Sequence, residues 1–210
     1  MFFSSLLRQI KWEARLIGDV GRACKISVDG TDFLVKKQWD NQASWISHKF
    51  KKPAVRYELG VCIQTGDIVW FAGPFRAGRF ADLTIFRCGG LKKLLIAAGE
   101  RAEADLGYRG EPLTIDLPDD GCAYMYCRKK LVRQRHETVN KRLKNWACLK
   151  TTFRHDIGFH AENFIAVVVD TTGIQFWTTS ISSRVLKYKI NNYNTHNDIT
   201  ILSANNCVNY

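Results

Sequence analysis

From Arg128 to Arg154 the chain holds ten Lys or Arg and a single acid, Glu137, a local charge of about +9. A charge block of this kind is ordinarily a solvated helix face. One carboxylate among so many bases also suits another task, binding a divalent cation beside a phosphodiester while the neighbouring bases hold phosphates. Hard cations such as Mg²⁺ take oxygen ligands and one Glu holds them weakly, so further carboxylates are needed. Two stand where an acid is disfavoured. Asp29 interrupts the β-favouring run 24–36 (CKISVDGTDFLVK), and Asp105 ends another run just before Leu-Gly-Tyr. Each has an ordinary alternative: Asp29 can head an Asp-Gly turn, and Asp105 can be an Asx-turn residue. Asp32, three residues after Asp29, is a substitute ligand on the neighbouring turn.

The elements that must present these acids are read from periodicity. Residues 1–23 form a helical lead-in, with Leu6, Leu7, Ile10, Ala14 and Ile17 at helical spacing and Gly18 and Gly21 ending it. Residues 24–36 predict a strand. In 55–63, Tyr57, Leu59, Val61 and Ile63 alternate with Arg56, Glu58, Gly60 and Cys62, a second strand. The turn chemistry of Gln64-Thr65-Gly66-Asp67 closes a hairpin with Ile68 to Ala72. The stretch 37–54, with Trp39, Trp45, His48 and several Lys, is an excursion between the first two strands; its Trp residues either pack over the sheet edge or stack on an unpaired base. After the breaker Gly73-Pro74, apolar residues at helical intervals predict a helix from Phe80 to Ala98 with a weak point at Gly89-Gly90. A short edge-like run covers 102–108, and 109–127 reads as loop. The basic segment 131–150 is helical, with Val139, Leu143 and Trp146 at i, i+4, i+7. Residues 156–170 read as helix, although Val167-Val168-Val169 also suits a strand. The Asn-rich tail has no sustained period and is expected to be poorly ordered.

This order of features resembles the catalytic domain of a DDE transposase: a strand with VDGT (28–31), a hairpin, a helix, DLGY (105–108), and a helix carrying Glu in a basic setting. It is most similar to Harbinger-type transposases, their domesticated nuclease relatives and bacterial insertion-sequence transposases. Arg133, Glu137 and Lys144 match the Arg, three residues, Glu, six residues, Lys pattern of the last group, with Lys130 where the pattern has Tyr. The segment 78–82 (GRFAD) resembles a Gly-x-x-His-Asp element with Ala81 in place of His, which makes Asp82 a helix N-terminal acid rather than a ligand. The resemblance implies an α/β fold, a ribonuclease-H-like mixed sheet flanked by helices. Its nuclease domain would cover 24–172, between the lead-in and a tail at 173–210. It implies Asp29, Asp105 and Glu137 as catalytic and metal ligands for two Mg²⁺ or Mn²⁺ ions, and DNA phosphodiester cleavage with or without strand transfer. Arg133, Lys141 and Lys144, on the helical face of Glu137, would be DNA-binding residues.

Composition bounds the remainder. The 210 residues suit one globular domain, 46% apolar and 12% aromatic, too hydrophobic for a disordered chain. No apolar run approaches the roughly 20 residues of a membrane helix. The formal charge of +11 implies a polyanionic partner, here DNA and no membrane. A homo-oligomer and a separate DNA-recognition protein remain open as partners, since 23 lead-in residues cannot form the recognition domain that complete transposases carry. Seven scattered cysteines read as free thiols in a reducing compartment, nucleus or cytoplasm according to host, and Cys122 with Cys127 lacks a second zinc-binding pair. The five His form no metal-binding pair and read as core or surface residues. A rival of a different class is a basic nucleic-acid-binding module that keeps the fold and has lost catalysis.

Overall fold

The computed structural model describes residues 10–19, 21, 23–36, 42–118 and 123–171, with the side chains of the last segment described from residue 129. Most of the expected lead-in, Trp39, Cys122, the side chain of Cys127 and the Asn-rich tail lie outside the described residues. In chain order the elements are β1 (Cys24–Leu34), α1 (Gln42–Trp45), β2 (Ala54–Cys62), β3 (Ile68–Arg76), α2 (Asp82–Cys88), α3 (Leu91–Ala98), β4 (Arg101–Glu103), β5 (Ile115–Asp116), α4 (Ala123–Leu143), α5 (Ala147–Lys150) and α6 (Gly158–Thr171). Short 3-10 turns at Trp12–Leu16 and Leu106–Tyr108 complete it.

The strands form one mixed sheet in the order β3-β2-β1-β4-β5. The first three are an antiparallel meander, and β4 and β5 run parallel to β1. Alternation sends successive side chains of each strand to opposite faces, and both faces are covered. Phe33, Tyr57, Leu59 and Val61 pack under Val139 and Leu143 of α4 and Phe164 and Val168 of α6. Ile26, Val28 and Cys62 pack under Phe86, Leu91 and Leu95 of α2 and α3. The chain is thus α/β, a five-stranded mixed sheet between helical layers.

Several expectations need correction. Gly73-Pro74 does not end β3, which continues to Arg76; β3 is an edge strand, where a missing N–H is tolerated, and the ladder absorbs the interruption by a register shift between Arg56 and Glu58. The run at 102–108 is not an edge: β4 lies between β1 and β5, then turns into the 3-10 segment. The predicted 80–98 helix is two helices, because Gly90 takes φ 99°, a left-handed conformation that restarts the helix. The loop reading of 109–127 missed β5 and the first turn of α4. The triple Val is helical, since His160, Phe164 and Val168 recur on the buried side of α6. Among the described cysteines Cys24, Cys62 and Cys148 are free thiols, whereas Cys88 is disulfide-bonded, against the reading of free thiols throughout.

Candidate functional site

Asp29 stands mid-strand in β1, opposite Leu59 of β2, so it heads no Asp-Gly turn. It shares the sheet face of Ser27 and Phe33, the face under α4. The parallel register pairs Ser27 with Glu103. Asp105, two residues further in extended backbone (φ −83°, ψ −177°), therefore falls level with Asp29 on the neighbouring path. One Asp105 oxygen, Oδ1, accepts from the Gly107 N–H at 2.8 Å, the Asx turn expected as its ordinary role. That bond holds the carboxylate over the start of the 3-10 turn and leaves Oδ2 to face solvent or a ligand.

On the opposite face, Asp32 is buried and both its oxygens are taken. Arg56 donates to it through Nε at 2.7 Å and Nη2 at 3.1 Å, and Ser47 Oγ donates at 2.5 Å. Asp32 is on β1, not on a turn, and this pairing removes it as the substitute ligand. Arg56 also reaches Asp82 Oδ1 at 3.1 Å. Asp82 is the first residue of α2, as expected of a helix N-terminal acid. Its Oδ1 fills the space that a Cβ on Gly30 would need, so glycine after Asp29 lets an acid from another layer approach the central strand. Its Oδ2 and Asp105 Oδ1 lie 3.6 and 2.9 Å from the point where a Gly107 Cβ would stand. Asp82 thus bridges the space from β1 to the turn after β4.

Glu58, opposite Gly30 on β2, is fully buried, and the polar group that faces its carboxylate is the Tyr108 hydroxyl. Burial holds it well above the usual carboxylate range, and Asp82 and Asp29 push in the same direction. The Tyr108 hydroxyl, itself fully buried, opposes that shift by hydrogen bonding to the Glu58 carboxylate. Asp29 is pushed up to about 7, first by burial, then by the charges of Asp105 and Asp82. Burial likewise raises Asp82, against the pull of Arg56. Asp29, Glu58, Asp82 and Asp105 therefore act on one another, with Arg56 largely committed to Asp32.

Along α4, His136 Nδ1 meets Ser27 Oγ at 2.9 Å, and burial lowers this His to about 4. Lys144, two turns on, has Nζ 5.5 Å from the Phe33 ring and 5.6 Å from the Phe50 ring. Burial and Lys49 lower its pKa, while Asp32 and Asp29 oppose them. The helix thus runs along β1 past Asp29. Glu137 is exposed, outside the buried stripe of His136, Val139 and Leu143; Arg133 is half-buried and Lys141 exposed. Asn140, one turn from both His136 and Lys144, has a buried Oδ1 without a partner. Of the expected acids, Asp29 and Asp105 come together, whereas Glu137 is exposed on the flank of α4 that also carries Arg133 and Asn140, with Lys144 just past the end of the helix. Among the described residues no group of three or more His, Cys, Asp or Glu stands ready to hold a metal ion.

Sequence reasoning missed Glu58 and Asn140 as neighbours of the acids. The signal for Glu58 was its place between Arg56 and Gly60 on one side of an alternating strand; its burial depended on α2 and α3 covering that side. Asn140 carried no signal beyond its helical interval from Lys144. His136 and His160 are both core residues, His160 Nδ1 meeting the Tyr57 hydroxyl at 2.9 Å. Trp45 is buried with the Arg76 guanidinium 4.8 Å from its ring, which makes it a packing residue. No described helix is long and apolar enough to cross a membrane. Comparison with protein-family models, curated proteins and solved structures finds no match for this chain.

Proposed function

We propose that this chain is a metal-dependent nuclease of the DDE transposase type, with a ribonuclease-H-like catalytic domain that cleaves DNA phosphodiester bonds. The observation that carries this reading is the convergence of Asp29 and Asp105 on one sheet face, joined by Asp82 and Glu58 from the other, where burial and the neighbouring acids raise Asp29 against the pull of Lys49. Grouping carboxylates against their own repulsion is costly for a fold that only needs to be stable, and such perturbed acids cluster at functional sites. The strand order, with one acid at the middle of the central strand and another just past the adjacent parallel strand, supports the same reading.

The donor set fits Mg²⁺ or Mn²⁺. All of it is carboxylate oxygen, and the raised Asp29 marks a shortage of positive charge that a divalent ion would relieve. Mg²⁺ is commonly held by one or two carboxylates, with waters and substrate phosphates completing the shell, so Asp29 and Asp105 suffice as its protein ligands. Glu137, exposed on the flank of α4, would be the third ligand of the proposed pair of ions. Bound there, the ions supply charge stabilisation at phosphorus and activation of the attacking hydroxyl or water. The chain's own residues position the rest. Arg56 fixes Asp82 against Gly30, the Gly107 N–H orients Asp105, and Lys144, Lys141 and Arg133 hold the DNA backbone beside the acids.

The test is nicking of supercoiled plasmid in Mn²⁺. Asp29→Asn and Asp105→Asn each abolish nicking, and Glu137→Gln lowers it at least about 100-fold, the scale of losing a metal ligand or its support. Nicking by all three variants at the wild-type rate overturns the reading. A wild-type chain that binds DNA without nicking it points instead to the binding module.

A further inference from the structure

A second surface carries positive charge away from the acids. A groove of about 580 Å³ opens where β1 ends, lined by Lys36, Lys52, Thr152 and Arg154 over a floor that includes Val35 and Pro53. Among the described residues three cations and no acid line it. Three segments distant in sequence are joined there by main-chain bonds: Val35 N–H to the Pro53 carbonyl at 3.1 Å, Lys36 N–H to the Phe153 carbonyl at 2.8 Å, and Phe153 N–H to the Leu34 carbonyl at 2.9 Å. Val35 and Phe153 form a parallel bridge and are both buried, so the cations are carried on backbone fixed from below. Among the described residues Lys52 and Arg154 make no ion pair.

Further basic residues accompany β1 between the acids and the groove. Lys144 sits over Phe33 and Phe50 and feels the charges of Asp29 and Asp32, and the loop after α1 carries Lys49, Lys51 and Lys52 along the same end of β1. From Asp29 to Val35 the strand advances about 20 Å at roughly 3.3 Å per residue. At about 3.4 Å of axis per nucleotide of one strand, that is about six steps of duplex.

We propose that this groove binds the sugar-phosphate backbone of duplex DNA about six nucleotides from the acidic site, with Lys52 and Arg154 as phosphate contacts and Thr152 as a neutral donor. The inference deepens the nuclease reading and rests on it for the identity of the polyanion. Exposed cations on a fixed floor, with no acid among the described lining residues, suit phosphate contact and carry no base-edge reading, so the contact sets register without sequence preference.

The experiment measures binding of a labelled duplex to the full chain in EDTA, by fluorescence anisotropy, between about 50 and 200 mM salt. The double variant Lys52→Gln/Arg154→Gln, both exposed side chains, is compared with Lys11→Gln/Lys93→Gln, an equal change of charge elsewhere. The groove variant lowers the slope of log K against log salt by about 1.8, from roughly 0.9 per phosphate contact, and the control leaves it within about 0.5 of wild type. An unchanged slope in the groove variant, or an equal fall in the control, overturns the proposal. So does wild-type binding to phosphatidylserine vesicles with none to DNA. Because EDTA removes chemistry from this assay, a groove that binds as expected while Asp29→Asn still nicks plasmid rejects the nuclease site and keeps the groove. The opposite pair of results rejects the groove alone.

Discussion

Asp29 is an acid whose surroundings favour its proton. Its carboxyl is pushed from 3.8 up to about 7 by burial and by Asp105 and Asp82, so between those values the folded chain keeps a proton that the unfolded chain has released. Stability from this group is fully present below about pH 4 and is lost as pH rises through about 7. Urea unfolding at about pH 5 and pH 8 measures it: the wild type loses about 1–3 kcal/mol more than Asp29→Asn over that interval. The same loss in both proteins shows that Asp29 titrates as an ordinary carboxyl. A divalent ion that binds the site acts in the opposite direction, because it favours the ionised form. At this scale the sequence marked Asp29 and Asp105 through their cost in β-favouring runs. It left Asp32 as a substitute because neither Ser47, 15 positions away, nor Arg56, 24 positions away, is visible as its partner before the strands pair.

The elements owe their places to two different covers on one sheet. On one side α6 lies on the meander, and Phe164 stacks on Tyr57 with centroids 3.8 Å apart and planes at 16°. Phe33 and Phe71 meet the same ring edge-on at 5.7 and 5.4 Å. Phe164 thus joins three strands to one helix, and Phe164→Ala costs about 3–5 kcal/mol by lost burial and the cavity left behind. Equilibrium urea unfolding checks this, and a cost under about 1 kcal/mol means α6 does not cover the sheet as described. Strands β1 and β2 and the helical period of α4 were legible, because alternation and the 3.6-residue repeat extend over many residues. The short β4 and β5, of three and two residues, have too little length to show a period. The Gly73-Pro74 interruption was misread because edge position, which makes proline harmless, is a property of the sheet and not of the segment.

Across the whole molecule an excess of +11 must be held in one folded body. Its self-repulsion weakens the compact state and is screened by salt, with a Debye length of about 10 Å at 0.1 M. The melting temperature therefore rises on going from about 10 to about 150 mM NaCl, and a fall over that range means specific ion pairs such as Arg15–Glu100 outweigh the general repulsion. The same charge surrounds an acidic centre, and that contrast underlies both the proposed nuclease site and the groove at the end of β1. The amino-acid sequence alone determined the main strands and helices, the basic helix, the charge excess that makes a polyanion the expected partner and the acids worth following, because composition, period and local cost are properties of neighbouring residues. Only the tertiary structure decided that Asp105 stands level with Asp29, that Gly30 admits Asp82, that Glu58 is buried beside the Tyr108 hydroxyl, and that Glu137 is exposed on α4. Those facts depend on strand register and on which helix covers which face, and register is fixed by pairing between segments tens of residues apart.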